Sequence, residues 1–198
     1  KLMHQLKGSY SALYVADSGD NPFLFAMTDP RKIRPLVLGK SDDLYCLTSE
    51  TRVFKKINFE YIKDVAGGSV IIIDKFGNIH EKQIIKKQEL PCMFEFVYFA
   101  KPDSRINEKS VHLVRDEIGK LLAKEHPVEA DIVVPVPESG RRYAHGFSRE
   151  SGTPIDEGIM KDKDERSFIH QTQETRDKVV EEGLSFLRSV VKGKRVVL

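Results

Sequence analysis

The chain has 198 residues, of which 40% are hydrophobic and 31% are charged, and its formal net charge is +2 at pH 7. This composition is typical of a globular protein with one large domain or two small ones. The small net charge excludes a strongly basic nucleic-acid-binding or anionic-membrane-binding protein, and no apolar run approaches the roughly 20 residues that span a bilayer. Cys46 and Cys92 form no disulfide framework, so we expect a cytoplasmic protein.

Short β-type runs separated by proline, glycine and aspartate fill the first half of the chain. They lie around residues 10–15, 22–27, 35–39 and 44–48. Residues 51–65 contain a predicted short helix, with Ser49 or Thr51 as its N-cap. Two β-branched runs on either side of the Lys-Phe-Gly-Asn turn at 75–78 predict a β-hairpin.

Four aromatic rings lie within residues 94–99 of the run FEFVYFAKPDS. The preceding segment KKQELP is charged and ends in proline, which is typical of a boundary. The aromatic run therefore predicts either a buried strand or a packed hinge between two blocks. We place the boundary there, which divides the chain into residues 1–90 and 91–198.

The second half alternates helical and β-type patterns. Helical periodicity beginning at Val111 puts five apolar residues on one face: Val111, Val114, Ile118, Leu121 and Leu122. Strands are predicted at 131–137, 155–160 and 192–198, and helices at 141–152, closed by Gly152, and at 174–191. This order is typical of an α/β fold with right-handed crossovers.

Two segments of the second half carry candidate chemistry. The loop PESG follows the strand at 131–137, where Glu138, Ser139 and Gly140 suit a phosphate or a metal–phosphate complex; the alternative is a plain turn in which Ser139 caps the next helix. A charged segment follows the next strand, where Lys161, Lys163 and Arg166 suit a lid over an anionic substrate; the alternative is a solvated loop. The histidines form no close pair, so a zinc site is not indicated.

Several runs resemble the glutamine-dependent amidophosphoribosyltransferases, in that family's order and over nearly the whole chain. The runs are GSYSALYVAD, TDPRKIRPLVLGK, TSE, VAGGSVIIID, CMFEFVYFAKPDS, EADIVVPVPESG, ESGTPIDEGIMK, RSFIHQTQETR and VVKGKRVVL. The resemblance implies an α+β first part, the C-terminal half of an Ntn-hydrolase-like glutaminase domain (1–90). It implies the first half of an α/β phosphoribosyltransferase domain for 91–198.

The family's reaction opens de novo purine synthesis. It converts glutamine, phosphoribosyl pyrophosphate and water into 5-phosphoribosylamine, glutamate and pyrophosphate, with Mg²⁺ present. The resemblance therefore implies these two substrates as ligands and a cytoplasmic homo-oligomer as the form of the protein.

Four residues match functional positions of the family. Ser139 matches a hydroxyl near the metal and the pyrophosphate, and Lys161 and Arg166 match basic residues that bracket the flexible lid. Cys92 matches a ligand of the 4Fe–4S cluster that some members carry. The catalytic cysteine is expected before Lys1 and the Asp-Asp motif after Leu198, so we expect the 198-residue chain alone to be inactive.

The chain departs from the family in the lid, which reads KDKDE where a tyrosine and a glycine are usual, and in EEGLSF, which replaces a basic run. A second interpretation therefore stays open: a non-catalytic relic or binding module derived from this family.

Overall fold

A computed structural model describes residues 2–17, 19–163 and 167–198. The chain forms two compact units, of which the first ends at Val111 and the second begins at His112. Within the described residues, no helix is long and apolar enough to cross a membrane.

The first unit is built from antiparallel sheets. Strands β1, β2, β6 and β7 form one sheet in that order, β4, β3 and β5 form a second, and β8 pairs with β9. The elements are α1 (Leu2–Gln5), β1 (Ser11–Asp17), β2 (Pro22–Thr28), β3 (Val37–Ser41), β4 (Leu44–Thr48), α2 (Arg52–Ile57), β5 (Glu60–Asp64), β6 (Ser69–Asp74), β7 (Ile79–Gln83), a π-helix (Glu95–Phe99), β8 (Arg105–Ile106) and β9 (Lys109–Ser110). The predicted strands and the hairpin of β6 and β7 are confirmed.

The core of this unit consists of aliphatic side chains from both larger sheets. Its buried members are Ala26, Leu36, Leu38, Leu47, Val65, Ile71 and Ile73. The burial of alternate residues in β6, from Ser69 to Asp74, is that of a strand with one face on the core. The face of β6 that carries Ile71 and Ile73 therefore packs in this core.

The run TDPRKIRP forms a turn organised by one buried carboxylate. Asp29 accepts hydrogen bonds from the backbone nitrogen atoms of Arg31 at 2.9 Å and Ile33 at 3.1 Å. Its own carbonyl oxygen accepts from Gly68 at 2.9 Å. A buried carboxylate is tolerated here because its oxygens are satisfied by backbone donors.

Helix α2 begins after Thr51, one of the two N-cap residues that the sequence predicted. The Thr51 side chain does not cap the helix. Its Oγ1 instead accepts a hydrogen bond from the backbone nitrogen of Arg105 at 2.8 Å. This bond joins the start of α2 to β8.

The aromatic run is a π-helix, so the predicted buried strand is wrong. The backbone nitrogen of Ala100 donates to the carbonyl of Glu95 at 3.0 Å, and Glu95 and Phe96 are buried. An apolar run of this length does not distinguish a strand from a helical segment by periodicity. The ion pair of Glu95 with Arg34, at 2.6 Å, joins the π-helix to the TDPRKIRP turn.

The division between the units does not coincide with the predicted boundary at residues 90 and 91. The backbone nitrogen of Cys92 donates to the carbonyl of Ile33 at 3.1 Å. The Ser104 hydroxyl donates to the Glu50 carboxylate at 2.8 Å. Residues 91–111 therefore pack with the first unit. The assignment of 1–90 and 91–198 to two family domains stays a prediction.

The second unit combines helices with short strands. Its elements are α3 (Val111–Glu125), β10 (Ile132–Val133), α4 (Arg141–Ser151), β11 (Ile159–Lys161), a 3₁₀ turn (Ser167–Ile169), α5 (Gln173–Gly183), β12 (Leu184–Phe186), α6 (Arg188–Val191) and β13 (Val196–Val197). Strand β10 pairs in parallel with β13, and Val133 also pairs in parallel with Ile155. These pairings confirm the α/β pattern around β10.

Two predicted elements of this unit differ in the structure. The helix expected over 174–191 is interrupted by β12, because residues 184–186 pair antiparallel with β11. The buried face of α3 also differs from the prediction, since Leu121 and Leu122 are each 47% exposed. Arg115 and Asp116 are buried on this helix instead. Buried polar side chains with partners gave no hydrophobic signal in the sequence.

Candidate functional site

The candidate site is the loop that leaves the carboxyl end of β10. The backbone nitrogen of Val134 donates to the carbonyl of Val197 at 2.8 Å, and that of Gly140 donates to Val136 at 3.0 Å. The peptide bond between Pro137 and Glu138 is cis. A Cβ atom on Gly140 would lie 2.6 Å from the Val136 carbonyl oxygen. Only glycine therefore fits this turn at the start of α4.

Ser139 is exposed in this loop. The N-cap residue of α4 is Gly140, and no side chain makes a capping hydrogen bond there. The alternative in which Ser139 caps the helix is therefore wrong. The Ser139 hydroxyl and the first backbone nitrogen atoms of α4 lie at the N-terminal end of that helix, and a helix N-terminus attracts anions. The role of Ser139 in phosphate binding stays a prediction.

A second loop leaves the same edge of the sheet. Because Val133 and Ile155 pair in parallel, the residues that follow both lie at one edge. The backbone nitrogen of Asp156 donates to the Val133 carbonyl at 3.1 Å. The exposed side chains of Asp156 and Glu157 therefore follow directly at this edge.

Arg141 joins the two loops, a role that was not predicted, although Arg141 and Arg142 stand where small residues are usual in the family that the sequence resembles. Its Nε lies 3.3 Å from the Glu138 carboxylate, and its Nη1 forms an ion pair with Glu157. The spacing of Glu138 and Arg141, three residues apart, was a signal that the sequence offered. The pairing with Glu157 had no such local signal, because it joins residues 16 apart.

The base of the predicted lid is a two-stranded antiparallel ribbon. Lys161 ends β11 opposite Leu184 in β12, and its side chain is exposed. Lys163 forms an ion pair with Glu182 at 2.7 Å, and this hydrogen bond lowers the pKa of Glu182. Arg166 lies outside the described residues. The lid function of Lys161 and Arg166 stays a prediction.

The opposite end of β10 is held by an ion pair. The Asp131 carboxylate accepts from the backbone nitrogen of Arg195 at 2.8 Å and from its guanidinium at 2.9 Å. The side-chain hydrogen bond from Arg195 lowers the pKa of Asp131 to about 2. This clamp fixes the start of the strand whose far end carries the candidate site.

An open apolar hollow of about 600 Å³ borders the same loop. It is lined by Leu122, Val133, Pro135, Val136, Gly140, Tyr143, Ala144, Phe147, Val197 and Leu198. These side chains offer almost no hydrogen-bond donors, so the hollow does not suit a phosphate group.

Metal ligands are sparse in the described part of the chain, which contains no group of three or more His, Cys, Asp or Glu side chains that could hold a metal ion. Cys92 is half-buried in the first unit, and the chain has two cysteines. A 4Fe–4S cluster needs four thiolate ligands, which this chain alone does not supply. The assignment of Cys92 as one such ligand stays a prediction.

Comparison with known proteins gives a consistent result. No protein-family model matches the chain. Amidophosphoribosyltransferases from Methanocaldococcus jannaschii, Rhizobium etli and Bacillus subtilis are 40%, 41% and 36% identical to it, each over 99% of the chain. The chain is homologous to the amidophosphoribosyltransferases. It spans 44%, 40% and 40% of the length of these three relatives.

Two solved structures agree with this homology. The Bacillus subtilis glutamine phosphoribosylpyrophosphate amidotransferase, complexed with ADP and GMP, matches 98% of the chain with a TM-score of 0.86 and 35% identity. A structure of an allosteric regulatory enzyme of purine biosynthesis matches 88% of the chain with a TM-score of 0.78 and 36% identity. The chain covers 42% and 38% of these two structures. The resemblance seen in the sequence is confirmed.

Proposed function

We propose that this chain is part of a glutamine-dependent amidophosphoribosyltransferase that acts in the cytoplasm as a homo-oligomer. Residues 1–90 would belong to its glutaminase domain and residues 91–198 to its phosphoribosyltransferase domain. The observation that carries the proposal is the match to the Bacillus subtilis amidotransferase over 98% of the chain.

The proposed reaction has two balanced steps. Water hydrolyses the glutamine amide, which gives glutamate and ammonia. The ammonia nitrogen then attacks C1 of phosphoribosyl pyrophosphate, the bond from C1 to the pyrophosphate oxygen breaks, and the nitrogen loses one proton. The products are 5-phosphoribosylamine and pyrophosphate. This chain would contribute to the second step, which depends on positioning and on neutralising the departing anion.

The loop after β10 would bind the pyrophosphate group. The exposed Ser139 hydroxyl would donate to a phosphate oxygen, together with backbone nitrogen atoms at the start of α4. Lys161, at the end of β11, would add a positive charge, as would Arg166. The rigidity of the loop would come from Gly140, whose close approach to Val136 admits no side chain.

Magnesium fits this loop as an ion that arrives with the substrate. Mg²⁺ is commonly held by substrate phosphates, water and one or two protein oxygens. The described residues hold no dedicated metal cluster, but the Ser139 hydroxyl and the exposed carboxylate of Asp156 provide oxygen atoms at one edge. When bound, the ion would neutralise charge on the leaving pyrophosphate.

The test is the Ser139→Ala substitution in the complete protein, assayed for 5-phosphoribosylamine formation from ammonia and phosphoribosyl pyrophosphate. We expect the KM for phosphoribosyl pyrophosphate to rise about tenfold, because a hydrogen bond to a charged group is lost. Ser151→Ala, at the other end of α4, is the matched control and should leave KM unchanged. Equal KM values for the two variants would contradict the role of Ser139.

A second candidate function is a binding module without turnover. Its support is that two basic side chains near the site, Arg141 and Lys163, form ion pairs with Glu157 and Glu182. The same assay separates the two functions. Binding of phosphoribosyl pyrophosphate without product, from ammonia or from glutamine, would favour the binding module.

A further inference from the structure

Arg141 is the first residue of α4 and follows the proposed pyrophosphate loop directly. Within the described part of the chain, its guanidinium reaches Glu138 through Nε and Glu157 through Nη1. Both partners are carboxylates, and carboxylates and phosphates compete for the same guanidinium donors. The two glutamates therefore bind the Arg141 guanidinium, which would otherwise be available to an anionic ligand of this loop.

The geometry points to Glu157 as an internal counter-ion of the site. We propose that Glu157 holds Arg141 while the site is empty and that Arg141 exchanges this carboxylate for a phosphate oxygen of the incoming substrate. Arg141 is then a further substrate-binding residue, and Glu157 limits the affinity for pyrophosphate-containing ligands. This inference rests on the proposed function of the loop.

The exposure of the pair makes such an exchange feasible. The side chains of Arg141 and Glu157 are 40% and 50% exposed, so their attraction is weakened by water and salt. A phosphate group carries more negative charge than one carboxylate and accepts two guanidinium hydrogen bonds in parallel. The exchange therefore replaces the Glu157 carboxylate with a phosphate group, which binds the Arg141 guanidinium more strongly.

A second arginine of the same helix shows what a purely structural pair looks like. Arg149 is paired with Asp116, whose side chain is only 7% exposed. Asp116 also lies near Arg142 and Lys120, at 4.0 Å and 3.5 Å. That carboxylate is enclosed by packed helices, whereas Glu157 lies on an exposed loop. Of these two pairs, the Arg141 pair is the one placed to change partners at the candidate site.

The backbone keeps both members of the pair at the edge of the sheet. Arg141 is fixed by the turn at Gly140, and Glu157 follows Asp156, whose backbone nitrogen donates to Val133 at 3.1 Å. Releasing the ion pair therefore requires rotation of two long side chains and no backbone movement. Such side-chain rotations are fast compared with enzymatic turnover.

The experiment measures the affinity of the complete protein for inorganic pyrophosphate with Mg²⁺ by titration calorimetry. Four proteins form a double-mutant cycle: wild type, E157Q, R141Q and R141Q/E157Q. We expect E157Q to bind pyrophosphate about threefold more tightly, because the ligand no longer has to break one exposed ion pair. We expect R141Q to bind pyrophosphate about tenfold more weakly, because a hydrogen bond to a charged group is lost. In the R141Q background, E157Q should have no further effect.

E129Q is the matched control, because Glu129 forms an exposed ion pair with Arg195 beside Asp131, at the start of β10. It removes the same charge and should leave the affinity unchanged. An equal gain from E157Q with and without Arg141 would overturn the inference, since it would reveal a general charge effect. Unchanged binding by E157Q would overturn it too. Failure of both wild type and E157Q to bind pyrophosphate would instead overturn the proposed function, and the inference with it.

Discussion

The backbone of Gly146 in α4 lies directly against the carbonyl oxygen of Asp116 in α3. A Cβ atom on Gly146 would overlap that oxygen, and a Cβ atom on Gly119 would overlap the carbonyl of Tyr143. The two helices therefore cross at backbone contact, which only glycine allows. This contact fixes α4, and with it the loop that forms the candidate site.

The Gly146→Ala substitution should destabilise the protein by about 3 kcal/mol, because the added methyl group forces two packed helices apart. Urea unfolding followed by circular dichroism measures the change. Gly183→Ala is the control, since its Cβ atom would lie 3.9 Å from the nearest atom, the Lys163 carbonyl oxygen. Equal urea concentrations at the unfolding midpoint of the two variants would show that α3 and α4 are not in backbone contact.

Much of the fold followed from patterns of neighbouring residues. Short β-type runs bounded by turn residues predicted β1 and the hairpin that contains β6, and Gly152 marked the end of α4, where it adopts a left-handed conformation with φ of 72°. The π-helix and the strand β12 were missed, because each depends on a distant partner. Glu95 is anchored by Arg34, 61 residues away, and β12 pairs with β11.

The Arg34→Ala substitution should destabilise the protein by about 1–2 kcal/mol, because it leaves the buried Glu95 carboxylate without its partner. The hydrogen bond from Arg34 to Glu95 raises the pKa of Arg34. The guanidinium also lies 5.2 Å above the Phe99 ring. Thermal unfolding measures the loss.

Arg31→Ala changes an exposed arginine of the same turn and is the control for Arg34. A melting temperature equally low in both variants would mean that loss of a charge, rather than loss of the Glu95 partner, causes the effect. Arg34→Lys should fall between wild type and Arg34→Ala, because the charge remains and the planar fork is lost.

The Asp131 clamp predicts a specific acid sensitivity. Arg195 lowers the pKa of Asp131 to about 2 in the folded protein, whereas an unfolded aspartate has a pKa of about 3.9. Its contribution to stability is therefore complete above pH 3.9 and is lost as the pH falls towards 2. Unfolding measured from pH 2 to 6 should show Asp131→Asn less stable than wild type at pH 6 and equal to it near pH 2. A constant difference across this range would contradict the clamp.

The raised pKa of Tyr61 predicts a loss of stability at alkaline pH. Burial, followed by its hydrogen bond to Asp64 at 2.7 Å, raises the pKa of Tyr61 to about 12. An unfolded tyrosine ionises at about 10, so this group's contribution to stability is lost as the pH rises from 10 to 12. Ultraviolet titration should reveal a late-ionising tyrosine that Tyr61→Phe removes. Asp64→Asn should move that step to lower pH, and an unmoved step would contradict the contribution of Asp64.

The loop at Gly140 predicts a loss of ligand binding. Gly140→Ala would bring a methyl group within 2.6 Å of the Val136 carbonyl oxygen, so the turn must open. We expect binding of inorganic pyrophosphate with Mg²⁺ to weaken at least tenfold, because the backbone nitrogen atoms at the start of α4 would no longer point together at the ligand. Calorimetry on the complete protein measures this. Gly183→Ala again serves as the control, and equal affinities would show that the loop is not part of the binding site.

The candidate site was only partly predictable from the sequence. Glu138, Ser139 and Gly140 were predicted as a candidate loop because they follow a strand and precede a helix, an arrangement encoded by adjacent residues, and they do lie between β10 and α4. The ion pair of Arg141 with Glu157 was not found. It exists because Val133 and Ile155 pair in parallel, and that pairing is a property of the folded sheet.

The clamp between Asp131 and Arg195 joins residues 64 positions apart in the chain, and β10 pairs with β13 beside it. Long-range parallel pairing slows folding, because a large loop must close before the contacts form. The hairpins of the first unit close over a few residues and can form early on the ribosome. During synthesis, β10 must therefore remain without its β13 partner until Val197 has been made, and for that interval its apolar strand is available to chaperones and to aggregation.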